Sequence, residues 1–248
     1  MTKRKWISIL FTALIFGVFL SAFSRHKMPI LKNDNTSPDL LAIDVLLEPD
    51  AAVIKEAQKA NARLMRNYPQ GFALDESHRP HITLAQRYIR ADDLPAVTTA
   101  LSKLFTEAKL KQIELRAQGY YTNATTGIGF CVMAISLTPA LAKLQQDVID
   151  VLQPFSMPGG TADAFIQNEN HQPIDSFTVK YVNRFVPDYS GDKFSPHVSI
   201  GLARADYLQL LMRNAFKVIT FKPSAAALFQ LGDFGTARKE LWRVKSSQ

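Results

Sequence analysis

Two short stretches carry the residue types that could move protons. Arg79-Pro80-His81-Ile82-Thr83-Leu84-Ala85 and Ser195-Pro196-His197-Val198-Ser199-Ile200-Gly201 share one pattern: Pro-His-aliphatic-hydroxyl-aliphatic-small. In a β-strand, residues two apart share a face, so His81 and Thr83 point one way while Ile82 and Leu84 point into a core. His197 and Ser199 repeat the arrangement in front of Val198 and Ile200. Proline suits a strand's first position because it has no N–H to give the ladder. Histidine titrates near neutral pH, so one imidazole can accept a proton while the other donates one. A single His-x-Thr carries little information. Two copies matching over consecutive positions, each followed by an amphipathic helical segment, read as two halves of one site.

The elements that must position these residues follow from periodicity. Leu40 to Leu47 reads as a strand, and Pro49-Asp50 starts a helix whose stripe is Val53, Ile54, Ala57, Leu64 and Met65. Pro69 and Gly71 end it. The first motif strand runs from about Pro80 to Tyr88, and Asp92 is the expected N-cap of a helix carrying Leu94, Val97, Leu101, Leu104 and Phe105. Ile113 to Tyr121 and Ile128 to Leu137 read as strands, and Thr138-Pro139 opens a helix lined by Leu141, Leu144, Val148, Val151 and Leu152. An apolar segment, Phe177 to Val186, precedes the second motif strand, which leads to a helix with Leu208, Leu211, Met212 and Ala215. Val218 to Phe221, Ala226 to Leu231 and Leu241 to Val244 close the chain as strands. The order strand, helix, motif strand, helix thus recurs, an internal duplication of architecture. Gly232-Asp233-Phe234-Gly235 reads as a turn rather than a phosphate cradle, because no helix follows it.

The paired motifs resemble those of the two-histidine phosphoesterases, the superfamily of 2′-5′ RNA ligase-like and cyclic phosphodiesterase proteins. The family pattern, His-x-(Thr/Ser)-x, is matched by His81 to Leu84 and by His197 to Ile200, and the resemblance spans roughly residues 40 to 245. It implies an α+β, bilobal α/β fold: two pseudo-symmetric lobes whose antiparallel sheets face a central cleft, with helices outside. The lobes are expected from residues 39–121 and 128–245 of one domain, 39–248. It also implies a metal-independent phosphodiesterase acting on 2′,3′-cyclic phosphates or 2′-5′ linked nucleotides. Cleavage needs a base for the attacking oxygen and an acid for the leaving one, roles for His81 and His197. Sequence does not say which is which; one assignment makes His81 the acid and His197 the base for water. Thr83 and Ser199 would donate hydrogen bonds to non-bridging phosphate oxygens. No cofactor and no metal site are expected, the partner is a nucleotide or RNA end, and the chain is expected to be a monomer. A non-catalytic nucleotide- or RNA-end-binding protein on the same scaffold is the rival reading. An exported structural or envelope-binding protein is a third, drawn from the leader alone.

Other residues admit two readings each. Arg87 shares the strand parity of His81 and Thr83, so it either contacts phosphate or is a solvated strand-end arginine. His78 and Asp75 could suggest a metal, but Pro80 argues against a helix presenting His78 and His81 together, and a loop histidine is the better account. Base-stacking aromatics are expected beside the cleft, from among Tyr88, Tyr121, Phe177 and Phe194. The segment from Pro154 to Ser176, with Gly159 and Gly160, is either a lid beside the groove or a surface insertion.

Composition sets the remaining bounds. The chain of 248 residues carries a formal charge of +7, to which Lys3, Arg4 and Lys5 contribute. Without them the bias is mild, compatible with an anionic substrate but not with a surface that coats nucleic acid. Cys131 is the only cysteine, which excludes an internal disulfide and a cysteine metal cluster; its apolar neighbours suggest a buried thiol. The three basic residues precede an uncharged apolar run, Trp6 to Phe23, eighteen residues long and at the lower limit of the roughly 17–25 needed to span a bilayer. Residues 1–24 therefore read as a signal peptide or an N-terminal membrane anchor. Ala22-Phe23-Ser24 favours cleavage, and the basic residues at 25–27 oppose it. Residues 25–38 read as a linker, and the protein is expected outside the cytoplasm, in the periplasm or bound to the inner or plasma membrane.

Overall fold

Among the described residues, apolar strands and amphipathic helices assemble into an α+β fold of two four-stranded antiparallel sheets and five α-helices. The computed structural model describes residues 39–246 apart from Thr125 and Asn170. The leader and linker, residues 1–38, lie outside the described residues. Among the described residues no helix is long and apolar enough to cross a membrane.

The strands are β1 (Leu40–Glu48), β2 (Ile82–Arg90), β3 (Leu115–Thr122), β4 (Ile128–Ile135), β5 (His197–Arg204), β6 (Ile219–Phe221), β7 (Ala225–Leu231) and β8 (Ala237–Lys245). The helices are α1 (Ala51–Asn67), α2 (Leu94–Glu107), α3 (Pro139–Leu152), α4 (Ser176–Tyr189) and α5 (Ala205–Arg213). The first sheet has the order β2-β1-β7-β8 and the second β5-β4-β3-β6. The sheets therefore do not divide the chain at 121/128. The segment 123–127 closes a β3–β4 hairpin, with Gly127 at φ 69°, so β3 joins the second sheet. β7 and β8 return to extend the first sheet beside β1.

Several local expectations hold for stated reasons. Asp50 caps α1 by accepting from Val53 N at 3.0 Å, and Thr138 caps α3 through Leu141 N at 3.2 Å. Asp92 does not cap α2: Ala91–Asp93 take a 3-10 turn, and Asp93 occupies the cap position without a side-chain bond. The segment Phe177 to Val186 is helical, inside α4, with Asp175 capping it through Phe177 N. The last helix ends at Arg213, before Ala215.

Two helices each leave a strand of one sheet and pack under the other sheet. α1 leaves β1 and lies against β5, while α3 leaves β4 and lies against β2. One continuous core joins Ile43, Val45 and Leu47 of β1 and Ile82 and Leu84 of β2 to Cys131 and Met133 of β4 and Val198 and Ile200 of β5. This exchange puts one buried amide beneath each motif strand. Asn61 of α1, 5% exposed, donates to Ile200 O at 2.8 Å and Phe72 O at 2.8 Å, and accepts from Leu74 N at 3.1 Å. Gln145 of α3, 1% exposed, donates to Leu84 O at 3.2 Å and accepts from Gly191 N at 3.2 Å.

Those two carbonyls belong to β-bulges. Thr83 stands opposite Leu46 and Ala85 opposite Val45, so Leu84 is an extra residue on β2. Ser199 stands opposite Val132 and Gly201 opposite Cys131, so Ile200 is the extra residue on β5. A bulge disrupts the ladder locally, and a buried carbonyl left without a donor is costly. Asn61 and Gln145 supply the donors. At the second bulge the backbone of Gly201 lies at φ 151°, and an added Cβ would sit 3.0 Å from Asn61 Nδ2, so glycine suits both conformation and space.

Removing either amide should therefore destabilise the fold. Asn61→Ala strands three backbone groups and Gln145→Ala two, at about 1–3 kcal/mol for each group left buried and unpaired. Thermal unfolding should show the larger fall in Tm for Asn61→Ala, and an unchanged Tm in both variants would refute the account of the bulges.

Candidate functional site

The motifs lie on edge strands, β2 of the first sheet and β5 of the second, and those two strands meet. His81 immediately precedes β2 and His197 begins β5. Each Nδ1 is held by the carbonyl two residues back: His81 by Arg79 O at 2.7 Å and His197 by Ser195 O at 2.8 Å. A carbonyl can only accept, so both Nδ1 atoms carry the proton and Nε2 is the nitrogen left to titrate. Burial pushes the pKa of both imidazoles down, and the carbonyl bonds partly offset it. Glu48 raises His81, whereas the charge of His81 lowers His197 further, which places the two imidazoles within electrostatic reach.

The bulge decides what stands beside the histidine on β2. Beyond Leu84 the strand's parity reverses, so Gln86, not Arg87, joins Thr83 on the motif face. Arg87 instead donates to Gln153 Oε1 at 3.2 Å, at the end of α3. Opposite Gln86 lies Asp44 of β1, fully buried. Its Oδ2 accepts from Thr83 Oγ1 at 2.8 Å and from Gln86 Nε2 at 3.1 Å, and it stands 3.6 Å from His81 Nε2. Its Oδ1 is buried without a partner among the described residues. Burial pushes the Asp44 carboxyl up to about 7, against the downward pull of the Thr83 and Gln86 bonds. Thr83 thus commits its hydroxyl proton to Asp44 when that carboxyl is ionised, rather than aiming it at a ligand.

Across the second bulge the register is the same and the chemistry is not. The counterpart of Gln86 is Leu202, and the residue opposite it is Phe130 rather than an acid. No carboxylate stands in the place beside Ser199 that Asp44 occupies beside Thr83.

The wall of the first sheet is the segment that breaks the internal symmetry. Met157 N donates to Tyr88 O at 2.8 Å, Ile166 N to Leu231 O at 2.8 Å, and Gln230 Nε2 to Ala164 O at 3.0 Å. Ala164, Phe165, Ile174 and Val182 pack on Ala42, Tyr88 and Leu231, the end of the motif face farthest from His81. Gly160 lies so close that an added Cβ would fall 2.2 Å from the Tyr88 ring. Pro154 to Ser176 is thus a packed wall. Tyr181 of α4 comes near enough to Asp44 for the carboxylate to raise its pKa further above a value burial has already lifted.

Of the aromatics expected to face a base, Tyr88 is 2% exposed and Phe194 7%, so both belong to the interior. Tyr121 and Phe177 are exposed. Sequence reasoning missed another set: Phe72 stacks on His78 with centroids 4.8 Å apart and planes 15° apart, and lies 6.4 Å from Phe130. His78 is a loop residue, with Asp75 Oδ1 accepting from its N–H at 3.1 Å. The Gly232–Gly235 stretch is a turn in which Asp233 accepts from Asp175 N and Thr178 Oγ1, tying it to α4. A cavity of about 400 Å³ opens there, lined by His78, Asn168, Asp233, Phe234 and Arg238 among others. Gly235 approaches Gln86, so this cavity lies next to the Asp44 cluster.

Several solved structures resemble the chain over most of its length. TT0787 of Thermus thermophilus is similar at 11% identity over 83% of this chain and 97% of its own, with a TM-score of 0.46. E. coli LigT, solved with NADP+, matches at 11% identity over 84% and 99%, with a TM-score of 0.38. Kluyveromyces marxianus Usb1 matches at 13% identity over 77% and 94%, with a TM-score of 0.34. A search of curated proteins finds no match. The family model of the 2′-5′ RNA ligase superfamily matches residues 48–235, which include both motifs and most of the chain. The chain belongs to the 2′-5′ RNA ligase superfamily.

Proposed function

We propose that the protein is a phosphodiesterase that opens 2′,3′-cyclic phosphates or cleaves 2′-5′ linked nucleotides with His81 and His197 as acid and base. The observation that carries this reading is the matched pair of imidazoles, each with Nδ1 fixed by a backbone carbonyl and Nε2 left to titrate. A fixed tautomer and ring orientation, set before the substrate arrives, is what a proton-transfer group requires. Membership of the superfamily supports the same reaction class. Ser199 is the better placed of the two hydroxyls to donate to a non-bridging phosphate oxygen, because no carboxylate stands where Asp44 engages Thr83. The row Phe130, Phe72 and His78 offers a surface on which a nucleobase can stack.

The leader supports a second part of the proposal, that the domain acts outside the cytoplasm, with Lys3, Arg4 and Lys5 inside. An enzyme there would meet RNA breakdown products, which suits scavenging of cyclic phosphates. Reporters that fluoresce or dephosphorylate on one side of the membrane only, fused at the C-terminus, should be active on the outer side; an active cytoplasmic reporter refutes export.

The reaction is tested by offering the full-length protein 2′,3′-cyclic AMP and 2′-5′ linked dinucleotides. His81→Ala and His197→Ala should each lower kcat on the order of 10²–10⁴-fold. The double variant should lose much less than the product of the two, since residues acting as one unit are non-additive. The pH profile should be bell-shaped and report macroscopic values of coupled groups, not of single residues. Wild-type binding without turnover identifies a binding protein, and full activity in either histidine variant removes the mechanism.

A further inference from the structure

Two motifs with the same local geometry leave open which histidine gives the proton and which takes it. We propose that Asp44 is the positioning residue that settles this, holding the transferable proton on His81 as general acid and leaving His197 as the base. The inference rests on the phosphodiesterase reading above.

The two halves superpose in register and differ in charge. Asp44 Oδ2 lies 3.6 Å from His81 Nε2, too far for a hydrogen bond and close enough for a strong attraction in a buried site. Nε2–H therefore remains free to be donated to a substrate oxygen, while the carboxylate favours the protonated ring. Thr83 and Gln86 fix Oδ2 in place, at 2.8 and 3.1 Å. The corresponding position beside His197 holds Phe130, which offers no charge.

The groups facing this cluster reinforce the difference. Glu48, on β1 and bonded to Arg243, also favours the proton on His81. On β5, His197 faces the charge of His81, which disfavours a second one. From α4 the neighbouring titratable group is Tyr181, a phenol that stays neutral through the working range. The β7–β8 turn presents Gly235 to Gln86, while its charged neighbours Asp233 and Arg238 line the adjoining cavity and bond to Thr178 and Glu169. Asp44 itself has only two donors and a bare Oδ1, so burial makes its ionised form costly by itself. His81 is likewise costly to charge alone. Together they hold one proton near neutral pH, as a neutral pair or as an ion pair.

The step then balances. His197 Nε2 takes a proton from water, whose oxygen bonds to phosphorus. The bond from phosphorus to the leaving ribose oxygen breaks, and that oxygen receives the proton from His81 Nε2. One water and one cyclic phosphodiester give one phosphomonoester; His197 ends protonated, His81 ends neutral, and solvent restores both.

Asp44→Asn keeps the shape and an acceptor for Thr83 while removing the charge. On 2′,3′-cyclic AMP it should lower kcat by about tenfold or more with KM little changed, and move the basic limb of the pH profile to lower pH. A 4-nitrophenyl nucleoside phosphodiester releases a phenolate that needs no proton. On that substrate His81→Ala and Asp44→Asn should both recover to within about threefold of wild type, and His197→Ala should not. Recovery of His197→Ala instead, or equal losses in all three variants on both substrates, overturns the assignment while leaving the phosphodiesterase reading intact. Nitrogen-15 NMR of the wild-type imidazoles provides an arm that needs neither turnover nor a folded variant. His81 should keep its second proton to higher pH than His197, and the reverse order overturns the proposal. An inert wild-type enzyme that shows the expected NMR order would remove the phosphodiesterase reading alone.

Discussion

The arrangement of this protein depends on two interrupted ladders. Each motif strand carries one residue too many, Leu84 on β2 and Ile200 on β5, directly after its hydroxyl residue. A bulge turns the strand and re-aims what precedes it, but it leaves a buried carbonyl to satisfy. The fold meets that demand by exchanging helices between sheets, so that α1 brings Asn61 under β5 and α3 brings Gln145 under β2. The same crossing merges the outer faces of both sheets into one apolar core. Site geometry and core packing therefore share a cause: the helices that bury the sheets are the ones that pin the bulges.

Within that symmetric frame the first half is electrostatically distinct. Reversed parity past the bulge brings Gln86 opposite Asp44, and the pair forms a buried polar cluster with Thr83. Buried carboxylates without full compensation are expensive and tend to neutralise, and a carboxyl lifted to about 7 is poised where histidine chemistry operates. The second half has Phe130 and Leu202 instead, at a site that stays apolar. One duplicated geometry thus presents two different electrostatic environments to the two imidazoles.

How much of this was legible in the chain depends on range. His81, Thr83, His197 and Ser199 could be placed because two-residue alternation is local and all four precede the bulge residues Leu84 and Ile200. Arg87 was assigned to the motif face by the same alternation and lies on the other, because an extra residue at Leu84 leaves no mark in composition. Asn61 and Gln145 did leave a mark, a polar residue inside an otherwise apolar helical stripe, but what each bonds is on a different sheet. Asp44 is similar: an acid in the middle of Leu40 to Leu47 is a signal of burial with partners, yet those partners sit 39 and 42 residues away. The β3–β4 hairpin lies where the lobes were expected to divide, because a short connection between two strands does not say whether they pair.

The wall formed by Pro154 to Ser176 shows how an insertion can become part of such a site without belonging to the duplication. Its backbone bonds to Tyr88 and Leu231 and its apolar side chains cover one end of the first sheet's motif face. Asp44 sits where that cover ends, deep enough to lose water and still 3.6 Å from an imidazole. The second sheet's motif face carries no acid whose state a matching cover would control. The segment that breaks the internal symmetry thus packs on the half that carries the unmatched acid.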